Sequence, residues 1–228
     1  MSIENLTPKK GEVAFQWFNR YAGVTIKTPT RTLVIDPADV NPKTFQTVDT
    51  ILITHEHYDH LDQAIIKSLH ERTGCAVIAD PTSTKRLENV IDPDKLFVVY
   101  VGSELKVDDV FIKAEPCNHP PASTPITFLI TSKDGVKIYH SADSLPFPEM
   151  KKIREETQPD IAFCTVGVAP GASPKTGVEI AKLIQPKIAV PYHTASTADL
   201  DRFAEILAKE APNIKGVVLE QGRSYKYP

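Results

Sequence analysis

The chain has 228 residues, 41% of them hydrophobic and 24% charged, as expected of a folded globular protein with a large buried core. Its 26 basic and 29 acidic side chains leave a net charge of −3, which argues against a general attraction for nucleic acid or anionic membranes. The polar N-terminus lacks the apolar segment of a secretory signal and no apolar run suggests a membrane span, so we expect one cytoplasmic domain, residues 1–228.

The first part of the chain is rich in predicted β-strands. Apolar or alternating runs separated by turn-forming residues predict four strands, at residues 13–18, 24–27, 32–35 and 50–53. Apolar residues then recur at helical spacing over residues 61–72, and Gly74 provides a stop signal. Further strands are predicted at residues 76–79, 96–101, 110–114, 126–131 and 136–139, with a hairpin turn at Asp134-Gly135.

Helices and strands alternate in the remainder of the chain. Helices are predicted at residues 148–156, 174–184 and 198–209, and strands at residues 161–166, 188–191 and 217–220. Strands that lead into helices, after an antiparallel opening, favour an α/β protein in which helices cover the sheets. The order of the elements also suits one domain built of two similar halves.

The most informative segment is the run His55-Glu56-His57-Tyr58-Asp59-His60, which follows an apolar strand and precedes a helix. In extended backbone, residues two apart point the same way, so His55 and His57 can converge on one metal ion. Asp59 and His60 can face a second ion beside it. Imidazole nitrogen and carboxylate oxygen suit zinc, iron and manganese. The run therefore predicts a metal site with ligands still to be supplied from elsewhere.

Three side chains far along the chain are candidates for the missing ligands: His119, Asp143 and His193. Each follows an apolar run or opens a turn, where a rigid scaffold presents functional groups. Five of the seven histidines in the chain then belong to one site, a concentration that core packing does not explain.

With these residues in order, the sequence resembles the metallo-β-lactamase fold superfamily, whose signature is His-x-His-x-Asp-His followed by a distant His, Asp and His. The early run Val34-Ile35-Asp36-Pro37 is also similar to a segment of that family. The resemblance implies a four-layer αβ/βα sandwich with the site at one edge between two sheets. It makes His55, His57 and His119 ligands of one ion and Asp59, His60 and His193 ligands of the other, with Asp143 bridging.

The resemblance further implies a binuclear metal-dependent hydrolase. We expect two divalent cations, zinc first with manganese and iron as alternatives, to hold a hydroxide that attacks the substrate. Asp59 is the best candidate for orienting the attacking water or moving its proton. Among superfamily branches, the compact chain most resembles small stand-alone hydrolases related to ascorbate-6-phosphate lactonase, which suggests a small-molecule ester, lactone or phosphodiester as substrate.

Two alternatives stay open at this point. The cluster could bind metal without turnover, in a structural or sensing role, although closed structural zinc sites use four ligands and seven are available here. A nuclease acting on short phosphodiesters is the other alternative. No nucleic acid or membrane partner is expected, and the oligomeric state is not predicted.

Residues near the signature have less definite predicted roles. Asp36 is expected to fix backbone near the site by accepting hydrogen bonds, and Glu56 and Tyr58 to support or line it. For His140 and Cys117, a structural role and a part in the site are both open. His70 is predicted to lie at the surface near the end of its helix. The segment 169–173 is either an anion-binding loop or a plain helix cap.

In Ser141-Ala142-Asp143 the alanine stands where the family commonly has glycine. This difference could alter the approach of the Asp143 carboxylate. The position of that side chain is therefore the main structural question for the predicted site.

Overall fold

The computed structural model describes residues 3–228, and its strands form two seven-stranded mixed sheets. The strands of the first sheet are β1 (Val13–Trp17), β2 (Val24–Lys27), β3 (Thr32–Ile35), β4 (Thr50–Ile53), β5 (Ala76–Ala79), β6 (Leu96–Val98) and β14 (Ser224–Tyr227). The strands of the second sheet are β7 (Glu104–Val107), β8 (Val110–Pro116), β9 (Ile126–Thr131), β10 (Lys137–His140), β11 (Ile161–Thr165), β12 (Ile188–Tyr192) and β13 (Lys215–Gly216). The α-helices are α1 (Gln63–Thr73), α2 (Pro81–Leu87), α3 (Met150–Thr157), α4 (Pro174–Ile184) and α5 (Thr197–Glu210).

The two sheets have the same internal plan. The first runs in the order β14-β1-β2-β3-β4-β5-β6 and the second in the order β13-β12-β11-β10-β9-β8-β7. In the first, β14 to β3 pair antiparallel and β3 to β6 pair parallel. In the second, β7 to β10 pair antiparallel and β10 to β13 pair parallel. The predicted similarity of two halves is present in this strand order.

Successive side chains of the apolar strands point into two different hydrophobic cores, one on each face of the sheet. Both faces are therefore buried, and the strands appear in the sequence as continuous apolar runs. In β4, Leu52 faces the other sheet, where Phe15 and Phe163 meet edge to face with ring centroids 5.6 Å apart. Its neighbours Ile51 and Ile53 face the opposite way and pack with residues of α1 and α2. Helices α4 and α5 cover β11 and β12 of the second sheet. The order helices, sheet, sheet, helices is the predicted α/β sandwich.

Several helix and turn signals act as the sequence indicates. The side chain of Asp62 caps the amides of Ala64 and Ile65 at the start of α1, and Gly74 ends it with φ of 67°. The predicted hairpin joins β9 to β10, with Gly135 at φ of 88°. No helix within residues 3–228 combines the length and the apolar character that a membrane crossing requires.

Four details differ from prediction, of which the first is that the strand predicted at residues 96–101 ends at Val98. Residues 217–220 are not a strand, because β13 ends at Gly216 and the chain then leaves the second sheet for β14 in the first. The short elements α2, β7 and β14 were not predicted. His70 is buried rather than at the surface, and its Nδ1 donates a hydrogen bond of 2.8 Å to the Cys75 carbonyl, so it closes the turn after α1.

Candidate metal centre

The seven predicted ligand side chains come together at the carboxyl ends of strands from both sheets. The loop after β4 carries His55, His57, Asp59 and His60, while the other three residues follow β8, β10 and β12. They form two groups that share Asp143, and within each group the donor atoms lie within 4.8 Å of one another. The groups are His55, His57, His119 and Asp143, and Asp59, His60, Asp143 and His193.

In the first group, three imidazole nitrogens converge. His57 Nδ1 lies 3.1 Å from His55 Nε2 and 3.2 Å from His119 Nε2. A hydrogen atom on His57 Nδ1 can form a hydrogen bond in only one of these two contacts. A cation bound by all three nitrogens therefore suits the arrangement better than hydrogen bonds between them. A tetrahedral zinc site with Zn–N bonds of about 2.0–2.1 Å separates its ligand atoms by roughly 3.3 Å, close to both spacings.

Asp143 lies between the two groups and turns one carboxylate oxygen toward each. Oδ2 is 3.6 Å from His119 Nε2 and 3.8 Å from His55 Nε2. Oδ1 is 3.0 Å from His60 Nε2 and 3.0 Å from His193 Nδ1. Asp59 Oδ2 completes the second group at 3.6 Å from both His60 Nε2 and His193 Nε2.

The second group contains buried polar atoms that the rest of the chain leaves unsatisfied. Three atoms, His60 Nε2, Asp143 Oδ1 and His193 Nε2, have no hydrogen-bond partner within residues 3–228. The close contacts of Asp143 Oδ1 do not have hydrogen-bond geometry. Unsatisfied buried polar atoms are costly, and a cation removes this cost. The donor set therefore fits bound metal.

Asp36 and Thr54 hold His60 in the orientation that aims Nε2 at the centre. Asp36 is fully buried, accepts hydrogen bonds from Thr54 N at 2.8 Å and Thr54 Oγ1 at 2.7 Å, and lies 2.8 Å from His60 Nδ1. Because the Asp36 carboxylate accepts a hydrogen bond from His60 Nδ1, Nε2 is the ring nitrogen of His60 that is available to bind a metal. Asp36 thus has the predicted supporting role and is in neither donor group.

Left-handed backbone at three non-glycine residues shapes the site. Asp36, Ala142 and His193 have φ values of 48°, 48° and 60°, a region that L-residues rarely occupy and that concentrates at functional sites. Ala142 adopts the conformation that glycine would take freely at this position. The Asp143 carboxylate therefore reaches the centre despite the alanine, at the expense of local backbone strain.

The charges of the site follow from burial and from its mixture of imidazoles and carboxylates. Burial and the neighbouring His60 keep the pKa of His55 well below its usual value, so its imidazole is neutral as a metal ligand must be. Burial opposes charge on His60, yet Asp143 and Asp36 raise its pKa well above the ordinary value, so a metal that binds Nε2 would displace a proton from it. Burial also opposes ionisation of Asp143, but His60 and His193 hold its pKa well below the usual range. Asp143 is therefore a carboxylate.

The loop that carries His119 is fastened to the histidine-rich loop. Glu56 points away from the donors, and its Oε1 accepts a 2.8 Å hydrogen bond from Ser123 N. Ile126 N, where β9 begins, donates to Thr54 O at 3.0 Å. These contacts fix the spacing of His119 from His55 and His57, so Glu56 is a positioning residue as predicted.

Other predicted residues separate clearly from the donors. His140 is buried and its Nε2 donates to the Ala22 carbonyl at 2.9 Å, a structural role. Cys117 is half-buried, and burial raises the pKa of its thiol. Tyr58 is exposed at the rim of the site. Ser173 caps α4 through a capping box with Thr176, which supports the helix-cap interpretation of segment 169–173.

Three residues that contact the donors were not recognised from the sequence. Thr54 Oγ1 lies 3.1 Å from His55 Nδ1, and Thr165 Oγ1 lies 3.2 Å from His193 Nδ1. The Tyr21 ring packs edge-on against His193, with centroids 6.3 Å apart. Thr54 adjoins the signature, but a hydroxyl carries no metal signal of its own, and Tyr21 reaches the site only through the folding of the first sheet.

Comparison with known proteins agrees with this geometry. A family described as "Beta-lactamase superfamily domain" matches residues 15–193. A UPF0173 metal-dependent hydrolase from Staphylothermus marinus is 30% identical over 212 residues, covering 87% of this chain and 90% of that protein.

Solved structures share the fold at lower identity. Igni18, a metallo hydrolase from Ignicoccus hospitalis, superposes with a TM-score of 0.81 at 21% identity, over 95% of this chain and 99% of that one. CmlA, a diiron β-hydroxylase from Streptomyces venezuelae, superposes with a TM-score of 0.74 at 16% identity, over 97% of this chain and 54% of that one. At these identities the likeness establishes the fold alone.

Proposed function

The chain belongs to the metallo-β-lactamase superfamily and is a metal-dependent hydrolase, and we propose that it uses two metal ions to cleave an ester, lactone or phosphodiester bond in a small molecule. The observation that carries the proposal is the position of Asp143, which presents one oxygen to each donor group. A carboxylate placed in this way suits a pair of ions better than a single ion.

We assign His55, His57 and His119 to one ion, Asp59, His60 and His193 to the other, and Asp143 to both. The nitrogen-rich first group favours zinc, which takes imidazole and carboxylate ligands in a tetrahedral arrangement. Manganese or iron bound by the same donors is the alternative. CmlA, whose structure shares this fold, is a diiron enzyme.

When bound, such ions act as Lewis acids and lower the pKa of water toward neutrality. The chain's own residues orient the reactants. Burial opposes ionisation of Asp59, but contact with His193 and the charge of His60 lower its pKa. Asp59 is therefore ionised at neutral pH, where its carboxylate orients the attacking water and accepts its proton. Asp36 keeps the proton of His60 on Nδ1, and Glu56 holds the His119 loop in register.

The substrate is a small molecule that enters past the exposed Tyr58 and the half-buried His57. The net charge of −3 supports the absence of a nucleic acid or membrane partner. A cytoplasmic location fits the same set of properties. A purely structural or sensing role is disfavoured because the relatives are named hydrolases.

The test combines metal content with turnover. Protein purified without chelator is analysed by mass spectrometry for metal, and then screened against bis-p-nitrophenyl phosphate, a lactone series and thioesters. Asp59→Ala and Asp143→Asn are compared with Asp201→Ala, which alters an exposed residue of α5. We expect about two ions per chain in the wild type and in Asp201→Ala, and activity only in these two proteins.

The outcomes separate the parts of the proposal. One ion per chain with full activity would contradict the binuclear assignment. Two ions with turnover of the phosphodiester alone would narrow the substrate class and favour the nuclease alternative. Full activity in Asp59→Ala would remove Asp59 from its proposed catalytic role.

A further inference from the structure

A polar cleft lies next to the chain segments that carry Tyr21 and His193, although no metal donor is among the described residues that line it. The cleft has a volume of about 630 Å³ and lies between the loop after β1, the loop after β3, the segment after β12 and the segment before β14. Thr194 in its wall directly follows His193, and Arg20 in its wall directly precedes Tyr21, whose ring packs against His193. We call it the Arg20 cleft. Its size is within the range of small-molecule sites.

The lining combines an apolar floor with a polar rim. The floor is formed by the buried side chains of Trp17, Leu200 and Leu219. Arg20 is the one cationic side chain among the residues that line the cleft, and the rim also carries Asp39 and Glu220. Glu220 Oε2 lies 3.4 Å from Arg223 Nη1, and both of these side chains are largely exposed.

Contacts with Tyr21 restrict the conformation of the Arg20 side chain although that side chain is half exposed. Its guanidinium carbon lies 5.0 Å from the centroid of the Tyr21 ring, and Nη2 donates a 2.9 Å hydrogen bond to Tyr21 Oη. Tyr21 is itself buried against the site. Stacking and this hydrogen bond reduce the freedom that a ligand would otherwise have to remove.

The ion pair of Arg20 with Asp39 is too weak to occupy the guanidinium. Nε lies 3.7 Å from Asp39 Oδ2, and the two side chains are 55% and 61% exposed. Pairs of this kind contribute little because solvent screens them. A ligand oxyanion can take two parallel N–H donors from the guanidinium while Asp39 turns into solvent.

We propose that the Arg20 cleft binds a carboxylate or phosphate group of the substrate that is distant from the bond being cleaved. This inference rests on the proposed hydrolase function and deepens it, because it makes the substrate an anionic small molecule anchored by Arg20. The anchor supplies binding energy remote from the reacting centre. Arg20 is then a specificity-determining residue, and truncated neutral substrates bind poorly.

The test uses 4-nitrophenyl esters of one short acyl chain whose far end carries a carboxylate, a phosphate or a neutral methyl ester. Loss of a charge-assisted contact is expected to raise KM of Arg20→Ala about 10- to 100-fold for the charged esters. KM for the methyl ester is expected to change less than about twofold. Arg20→Lys should fall between, since ammonium lacks the bidentate fork. Asp39→Asn should leave KM for the charged esters equal or lower. Arg202→Ala, at an exposed residue of α5, is the matched control.

Equal effects of Arg20→Ala on charged and neutral esters would overturn the proposal, as would an Asp39→Asn variant that weakens binding as much as Arg20→Ala. The comparison of the carboxylate and phosphate esters shows which oxyanion is preferred. Calorimetric binding of the corresponding 4-nitrophenyl ethers, which contain no bond to hydrolyse, keeps the two hypotheses apart. If no ester turns over, selective loss of charged-ether binding in Arg20→Ala still supports the cleft, and its absence refutes it.

Discussion

The role of Asp36 gives the sharpest prediction about the centre. Its carboxylate accepts contacts from Thr54 N, Thr54 Oγ1 and His60 Nδ1 at 2.7–2.8 Å while fully buried. In Asp36→Asn the acceptor is neutral, and the amide NH₂ must face at least one of these donors. A hydrogen bond to a charged acceptor exceeds a neutral one by about 1 kcal/mol. We therefore expect the free energy of unfolding of the metal-free protein to fall by ~3 kcal/mol.

The same substitution should weaken metal binding at the Asp59, His60 and His193 group. Replacement of a carboxylate that orients a ligand histidine typically lowers metal affinity about 10- to 100-fold. A loss of ~3 kcal/mol should leave a domain of ordinary stability folded. Urea unfolding in the presence of chelator and a calorimetric metal titration measure the two effects separately.

Asp39→Asn is a matched control because the chain offers a second aspartate in the same backbone conformation. Asp39 has φ of 49° against 48° for Asp36, but its side chain is exposed. Asparagine tolerates this region well, so backbone strain cannot distinguish the two variants. Equal stability of the two variants, or unchanged metal affinity in Asp36→Asn, would refute the proposed role of Asp36.

The remaining predictions concern positioning, strain and pH. In a stepwise metal titration, Glu56→Gln should lower the affinity of the donor group that contains His119 about tenfold. The control Glu71→Gln should leave both affinities unchanged. Equal losses of affinity at the two donor groups in Glu56→Gln would contradict the positioning role. Ala142→Gly should shift the free energy of unfolding by less than about 0.5 kcal/mol, because relief of left-handed strain offsets the added chain entropy. The control Ala162→Gly, inside β11, should lower the free energy of unfolding by about 1 kcal/mol or more. Equal decreases for Ala142→Gly and Ala162→Gly in urea unfolding would refute the strain argument. Burial lowers the pKa of His140 to about 4 from an unfolded value near 6.5. The contribution of neutral His140 to the free energy of unfolding is fully present above pH 6.5 and should decline by about 3 kcal/mol as the pH falls to 4. A His140→Gln variant whose free energy of unfolding depends on pH as that of the wild type does would contradict this.

The sequence predicted elements best where strands are buried on both faces. The strands Thr32–Ile35, Thr50–Ile53 and Ile126–Thr131 have the predicted bounds, because each is a short apolar run ended by turn residues. The edge strands Glu104–Val107 and Ser224–Tyr227 are partly exposed and alternate polar with apolar or aromatic residues, so no continuous apolar run marks them. Helix α2 did carry a signal, since Asp80 caps it and Pro81 is its first residue.

The donor residues were predictable, while the groups that orient them were not. The signature and its order along the chain named all seven clustered side chains. The contacts of Tyr21 with His193, and of Glu56 with Ser123, join residues far apart in sequence. Such contacts arise only from tertiary packing. His70 shows the same limit, because the turn it closes buries a histidine that its helix position would have placed in solvent.

The pairing of Ser224–Tyr227 with β1 has a consequence for synthesis of the protein. Residues Ser224 to Tyr227 are translated long after their partners Val13 to Gln16. The clustered histidines and aspartates all precede residue 194. A nascent chain therefore carries the whole donor set while one edge of its first sheet is still open. An open edge is a template for association with other chains, so the pairing of β14 with β1 removes one route to aggregation at the end of synthesis.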